Sequence, residues 1–147
     1  MNYLLDTCVV SEYLRKSPNE SVIEWIDEQS EQTLYLSQLT IAELKKGCFK
    51  LLNKAPIDEN KARAYKITRW IAQLERRFGD RILPMDTETL NSWSRLCGES
   101  EAKGQKLPVV DSLITATAQV NGLVIATRNT KDFQRCSPHL EIFNPFQ

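Results

Sequence analysis

Four acidic residues stand where an apolar run ends or a helical pattern begins, and these positions could support chemistry. They are Asp6, Glu43, Asp111 and Asp132. Each also has a purely structural explanation, because acids are common helix caps and the helix dipole favours them in a first turn. Thr40 and Glu43 match a capping box, and Asp132 could lie in an ordinary turn. The residue types alone leave both a cluster and a set of separate caps open.

If these acids converge, they need a cation, because carboxylates that face one another repel unless a positive charge offsets them. Oxygen ligands with no histidine or cysteine beside them favour a hard divalent cation, Mg²⁺ or Mn²⁺. Such an ion can bridge a phosphate group and activate a water molecule. The five scattered glycines form no phosphate-binding loop, and one histidine with four separated cysteines argues against a zinc cluster. Acids that converge would therefore predict metal-dependent phosphate chemistry, and their spacing alone leaves convergence open.

The elements that would position these acids alternate between strands and helices. Short apolar runs predict strands at residues 3–5, 34–36, 81–83, 123–126 and 141–143. Helical patterns lie between them, at residues 6–16, 22–26, 40–52, 58–78, 86–96 and 108–121, and residues 99–106 are typical of a polar loop. This alternation predicts an α/β fold with a mostly parallel, five-stranded sheet. No repeat or linker divides the chain, so we expect one domain over residues 1–147.

Composition limits the class of protein. The 147 residues carry 19 basic and 19 acidic side chains, so the zero net charge excludes a globally basic nucleic-acid coat. The charge is uneven, because residues 44–81 hold 11 basic and 4 acidic residues. No apolar run is long enough to span a membrane, and Asp6 comes too early for a secretory signal. We therefore expect a cytoplasmic protein with reduced cysteines and no membrane contact.

Five segments, in this order and spacing, carry a resemblance to a known family. They are LLDTCVVSE at 4–12, LSQLTIAELKKG at 36–47, RILPMD at 81–86, LPVVDSLITATA at 107–118 and VIATRNTKDF at 124–133. On these segments the chain resembles the PIN-domain ribonucleases, specifically the VapC-like toxins of type II toxin–antitoxin modules and their FitB-like branch. The resemblance runs almost end to end, and no single segment would suffice for it.

The resemblance implies a three-layer α/β/α sandwich that hydrolyses RNA phosphodiester bonds with bound Mg²⁺ or Mn²⁺. Asp6, Glu43 and Asp111 would hold the metal, and Glu43 would either bind it or orient the attacking water. Thr7 and Thr127 would support these acids by hydrogen bonding, with helix capping an equal alternative for Thr7.

The chain departs from the family pattern at two positions. The family usually has Asn two residues after the first Asp, where this chain has Cys8, and a thiol is a weaker hydrogen-bonding group than an amide. The family's fourth acid often stands where this chain has Asn129. Either Asn129 serves through its amide oxygen, which its position favours, or the nearby Asp132 reaches the site.

Basic residues near the acids are candidates for contact with the RNA backbone. Lys45 and Lys46 rank first, because both follow Glu43 within one helical turn, and Arg128 lies beside the proposed site. The alternatives are a solvated charged helix face for the lysines and a surface salt bridge for Arg128.

By resemblance we expect three partners. These are an RNA substrate such as tRNA or another structured RNA, a cognate antitoxin that lays a helix into an apolar groove and directs a basic side chain at the acids, and a second copy in a homodimer.

Two other classes of function stay open. One is a PIN-like binding module whose metal site was lost with Cys8 and Asn129. The other is phosphate transfer with Asp6 as nucleophile, which Cys8 disfavours because a haloacid-dehalogenase site needs Asp-x-Asp.

Overall fold

The computed structural model describes residues 1–54 and 57–147. Its strands are short and apolar: β1 (Tyr3–Leu5), β2 (Leu34–Ser37), β3 (Ile82–Leu83), β4 (Val124–Ala126) and β5 (Ile142–Phe143). They form one five-stranded sheet in the order β3-β2-β1-β4-β5, and every neighbouring pair is parallel. Each predicted strand is present within one residue at either end, which confirms the parallel α/β prediction.

Helices connect the strands throughout the described residues. They are α1 (Thr7–Val10), α2 (Glu20–Glu28), α3 (Gln38–Leu52), α4 (Ile57–Phe78), α5 (Thr87–Ala102), α6 (Val109–Asn121) and α7 (Thr130–Cys136). Short 3-10 segments follow α1 and precede β2 and β3. Gly122, with a φ of 64°, ends α6 in the left-handed conformation that glycine adopts without strain.

The helices cover both faces of the sheet, because side chains alternate along each strand. Leu5 points into a core cluster supplied by α1 to α4, including Ile41 of α3. Leu4 points the other way, into a cluster with Ile114 of α6 and Phe133 of α7. Helix α5 packs against α6. This arrangement is the predicted three-layer α/β/α sandwich.

The start of α3 differs from the sequence prediction. The helix begins at Gln38, and the buried Ser37 is its N-cap, with Oγ accepting the N–H of Leu39 at 3.0 Å. Thr40 lies inside the helix and is fully buried. The capping-box explanation of Thr40 and Glu43 is therefore wrong, and the Glu43 carboxylate needs another role.

Two further boundaries also differ. Helix α5 continues to Ala102, through part of the predicted loop 99–106, because glutamate and alanine favour helix until Gly104 turns the chain with a φ of 84°. Helix α7 was not predicted, although Phe133 and Cys136 are buried at the i, i+3 spacing of an amphipathic helix. Asp132 therefore lies in the first turn of a helix and not in an ordinary turn.

Two global expectations can be compared with the structure. In the described part of the chain, no helix is long and apolar enough to cross a membrane. The four cysteines are free thiols, three of them buried, as the sequence predicts.

Candidate active site

The carboxyl ends of the three central strands meet at one edge of the sheet. Because β1 lies between β2 and β4, the residues that follow these strands become neighbours. Asp6 follows β1, and its N–H donates to Ala126 O at 3.0 Å. Thr127 follows β4, and α3, which carries Glu43, follows β2 directly. The parallel sheet thus joins residues that lie far apart in the sequence.

Asp6 is the most buried acid at this edge, with 7% of its surface exposed. Its Oδ1 accepts the N–H of Thr7 at 2.9 Å, which also makes it the N-cap of α1. Its Oδ2 accepts the hydroxyl of Thr127 at 2.7 Å. Both donors are neutral, and none of the ion pairs found among the described residues involves Asp6. Asp6 is therefore a buried carboxylate that is held in place but has no charge partner.

Glu43 is tied to the same place by Thr7. The Thr7 hydroxyl donates to Glu43 Oε1 at 2.8 Å and lies 3.4 Å from Thr40 Oγ1. Glu43 is half-buried on α3 and, like Asp6, makes no ion pair within residues 1–54 and 57–147. Thr7 therefore links the N-terminus of α1 to α3 and fixes one carboxylate oxygen of Glu43.

Asp111 lies in the first turn of α6, and its pKa shows which acids surround it. Burial raises this pKa above its usual range, and the negative charges of Asp6, Asp132 and Glu43 raise it further. A carboxyl group is affected in this way when other carboxylates stand close to it. All four acids singled out from the sequence therefore share one region of the molecule.

Asn129 and Asp132, the two candidates for the fourth position, are placed differently. Asn129 is exposed at the N-terminus of α7, and its backbone N–H donates to Thr127 Oγ1 at 3.0 Å. No hydrogen bond of its side chain is found among the described residues. Asp132 raises the pKa of Asp111 and stands 4.0 Å from Arg135, a long and half-exposed contact. The charge of Asp132 thus reaches the acids, whereas Asn129 contributes its backbone to the network.

The basic candidates are not equivalent either. Lys45 Nζ lies 3.5 Å from Glu75 Oε1 on α4, so its charge is partly offset there. Lys46 is exposed and makes no ion pair within the described residues. The Arg128 guanidinium lies 4.8 Å from the centre of the Phe146 ring, so a cation–π contact replaces the salt bridge considered from the sequence.

Cys8 takes part in this hydrogen-bond network, which sequence reasoning had not predicted. Its Sγ donates to Asp6 Oδ2 at 3.5 Å and lies 3.7 Å from Thr127 Oγ1. Burial, followed by the nearby Asp6 charge, raises the pKa of the thiol to about 11. The thiol is therefore protonated at neutral pH and can act as a donor. Its position two residues after Asp6 was the available signal.

The donor set can be tested against the cation that the sequence predicts. Asp6, Glu43 and Asp111 supply only carboxylate oxygens, the ligands that Mg²⁺ and Mn²⁺ prefer, and their mutual repulsion is relieved by a cation. As they stand, no three Asp, Glu, His or Cys side chains of the described residues are grouped to hold an ion. The chemistry of the set fits a hard cation, and binding would have to draw the carboxylates together.

Comparison with known proteins identifies the family to which this chain belongs. The PIN-domain family model matches residues 3–137. The chain therefore belongs to the PIN-domain family, in agreement with the fold and the cluster of acids.

Within this family the chain is similar to two curated toxins. VapC ribonuclease Y4jK from Sinorhizobium fredii is 33% identical over 144 residues, which are 98% of this chain and 97% of the relative. Toxin FitB from Neisseria gonorrhoeae is 34% identical over 143 residues, 97% of each chain. The crystal structure of FitAcB from Neisseria gonorrhoeae aligns with a TM-score of 0.84 at 32% identity over 99% of both chains. The predicted resemblance to VapC-like and FitB-like proteins is confirmed.

Proposed function

We propose that this protein is a metal-dependent endoribonuclease that acts as the toxin of a type II toxin–antitoxin pair. Residues 1–147 would act as one PIN domain. One observation carries the proposal: Asp6, Glu43 and Asp111 share one site, and none has a cationic partner among the described residues. Similarity to a VapC ribonuclease and to toxin FitB supports RNA as the substrate class.

The residues would divide the work of hydrolysis. Asp6, Glu43 and Asp111 would hold Mg²⁺ or Mn²⁺, which offsets charge on the phosphate and activates water when bound. Thr127 fixes one oxygen of Asp6, and Thr7 fixes one oxygen of Glu43, so both carboxylates are oriented before substrate arrives. In the reaction the attacking water gives up a proton as its oxygen bonds to phosphorus, the bond from phosphorus to the leaving nucleotide oxygen breaks, and that leaving oxygen takes up a proton. Glu43 is half-buried, and we assign it to bind the ion or orient this water.

The fourth position goes to Asp132 in this proposal. Its charge raises the pKa of Asp111, whereas no side-chain hydrogen bond of Asn129 is found in the described chain. Asp132 would add negative charge next to the metal ligands. Thr127 connects Asn129 to Asp6, because its hydroxyl donates to Asp6 and accepts the backbone N–H of Asn129.

The antitoxin has a candidate docking place on the α1–α4 face. An apolar cleft of about 180 Å³ is lined by Val10, Ile26, Trp70 and Leu74, with charged and polar side chains at its rim, among them Asp27. It would accept an apolar side chain from an antitoxin helix. A substitution that fills the cleft, Ile26→Phe, should weaken inhibition by the antitoxin while RNA cleavage continues. Equal inhibition of both proteins would place the antitoxin elsewhere.

A homodimer also stays a prediction. Val109 and Val110 are 58% and 37% exposed beside Asp111, and Leu90 is 42% exposed on the adjoining α5. An apolar face of this kind is typical of an interface. Light scattering of the purified chain would measure the mass, and a monomer at high concentration would contradict the dimer.

The decisive experiment measures RNA cleavage and metal binding together. We expect cleavage of bulk cellular RNA with Mg²⁺ or Mn²⁺, no cleavage in EDTA, and Mn²⁺ binding in calorimetry that Asp6→Asn removes. Sequencing of the cleaved RNA ends after brief expression of wild type and Asp6→Asn would identify the target. Undiminished cutting in EDTA would refute the metal. Neither cleavage nor Mn²⁺ binding would leave the alternative, a PIN-like binding module without activity.

A further inference from the structure

Helix α3 has two charged flanks with different surroundings. Glu43, Lys46 and Lys50 are spaced i, i+3 and i+7, so they lie on one flank of the helix. Lys45 lies on the opposite flank, where its Nζ pairs with Glu75 of α4 at 3.5 Å. The helix therefore separates lysines that look alike in the sequence.

The first flank adjoins the candidate active site. Glu43 accepts the Thr7 hydroxyl there, and it raises the pKa of Asp111 on α6. Leu39, one turn before Glu43 on the same flank, packs against the core cluster that contains Ile114 of α6. This flank of α3 thus faces the acids and α6, and Lys46 and Lys50 continue it away from the acids.

The positive charges of Lys46 and Lys50 have no acidic partner in the described part of the chain. Both are exposed, and neither forms an ion pair within the described residues. Lys46 stands about one turn and Lys50 about two turns beyond Glu43. The two lysines are four residues apart, which is about 6 Å along the axis at about 1.5 Å per residue. Two free ammonium groups at this spacing suit successive or alternate phosphates of an extended strand.

We infer that the substrate RNA strand leaves the acidic site along this flank of α3, with Lys46 and Lys50 each contacting a backbone phosphate. The inference rests on the proposed ribonuclease function and corrects the equal ranking of Lys45 and Lys46. Lys45 contributes little to RNA binding, because Glu75 already offsets its charge. Lys50 takes its place.

The test uses the full chain with Asp6→Asn, which should bind RNA without cutting it. The probe is a fluorescein-labelled single-stranded RNA of 20 mixed nucleotides, followed by anisotropy at several salt concentrations. Adding Lys46→Gln and Lys50→Gln should weaken RNA binding about tenfold or more at about 0.1 M salt. The two substitutions should also reduce the slope of the logarithm of the binding constant against the logarithm of salt concentration by about 1.4, since each single-strand phosphate contact contributes about 0.7. The matched control Lys45→Gln should change affinity less than about twofold and leave the slope unchanged.

Cleavage kinetics provide the second measurement. In the protein with Asp6 intact, Lys46→Gln with Lys50→Gln should raise KM about tenfold and leave kcat within about twofold, because phosphate contacts bind substrate and transition state alike. Wild-type affinity and KM in this double variant would overturn the inference, as would an equal loss in Lys45→Gln. Unchanged RNA binding with weaker antitoxin binding would assign the flank to the protein partner instead. Failure of the proposed function is distinguishable, because wild type would then cleave no RNA, whereas the anisotropy measurement tests the role of Lys46 and Lys50 without cleavage.

Discussion

Asp6 and Glu12 are both buried acids at the ends of the same short segment, yet their hydrogen-bond and ion-pair partners differ. Glu12 is 2% exposed, and its carboxylate accepts the N–H of Asn19 at 2.8 Å and lies 3.3 Å from the Arg15 guanidinium. Asp6 accepts only neutral donors, from Thr7, Thr127 and Cys8. One acid is neutralised by its neighbours, and the other keeps a charge that nothing in the described structure offsets.

Under the proposed function, the difference separates a structural acid, Glu12, from a metal ligand, Asp6. Burial of an ionised group costs free energy unless a partner offsets the charge. Glu12 meets this requirement locally and holds the segment between α1 and α2. Asp6 does not, and this is why we propose that a bound cation relieves the repulsion among Asp6, Glu43 and Asp111. The missing charge partner, and not burial, is the feature that points to metal binding.

The largest expected effect comes from removing the Asp6 charge. Asp6→Asn should lower RNA cleavage by about a thousandfold, about 4 kcal/mol of transition-state stabilisation, because the proposed metal loses a ligand. The melting temperature without metal should stay the same or rise, because the substitution also removes repulsion. Cleavage assays and thermal unfolding would measure both. Near-wild-type cleavage by a folded Asp6→Asn protein would contradict the assignment.

Glu12→Ala should show the opposite pattern. It leaves the Asn19 N–H without its acceptor, which should lower the free energy of unfolding by about 1–3 kcal/mol. Activity per folded molecule should stay near wild type, because Glu12 does not contact the acids. Urea unfolding and cleavage at low temperature would test this. A stable but inactive Glu12→Ala protein would mean that the two acids are not distinct in role.

Thr127→Val should have an intermediate effect on activity. The substitution keeps the side-chain volume but removes the hydroxyl that donates to Asp6 at 2.7 Å and accepts the Asn129 N–H at 3.0 Å. We expect about a tenfold loss in kcat, the effect of about 1.4 kcal/mol in the transition state. The matched control is Thr117→Val, since buried Thr117 only donates to Leu113 O within α6. Equal losses in both variants would indicate general destabilisation.

The smallest effect concerns the pH dependence of stability. The pKa of Asp111 is raised in the folded protein by burial and by nearby acids, so the folded state binds that proton more tightly than the unfolded state. The corresponding stability is present at low pH and lost as the pH rises through the raised pKa. In EDTA at neutral pH, Asp111→Asn should therefore be more stable than wild type, by less than about 1 kcal/mol after solvent screening.

Thermal unfolding of both proteins across pH would show this gain, and added Mg²⁺ should remove it by stabilising wild type alone. Asp58→Asn is the control, because Asp58 is exposed on α4. A less stable Asp111→Asn protein at neutral pH would contradict the cluster of like charges.

The sequence predicts the fold well because alternating apolar runs and amphipathic helices are local patterns. It also singles out Asp111 and the three acids whose negative charges raise its pKa in the structure, Asp6, Glu43 and Asp132. Local patterns do not predict the contact between Asp6 and Thr127, which are 121 residues apart, so Thr127 was proposed from the resemblance alone. The capping-box prediction for Glu43 is wrong because Ser37 had already capped the helix. The pairing of Lys45 with Glu75, 30 positions further along the chain, is equally invisible to local patterns.

The hydrogen bond between Thr127 and Asp6 also has a consequence for the timing of synthesis. Asp6 is among the first residues made, but Thr127 and its strand emerge 121 residues later. At about 5–20 residues per second, the two would be separated by roughly 6–25 s of translation. During that interval the nascent chain lacks Thr127, and it gains Asp111 only 16 residues before Thr127. Under the proposed ribonuclease function, the nascent chain would therefore not cleave the ribosome or message that produces it until Thr127 is in place.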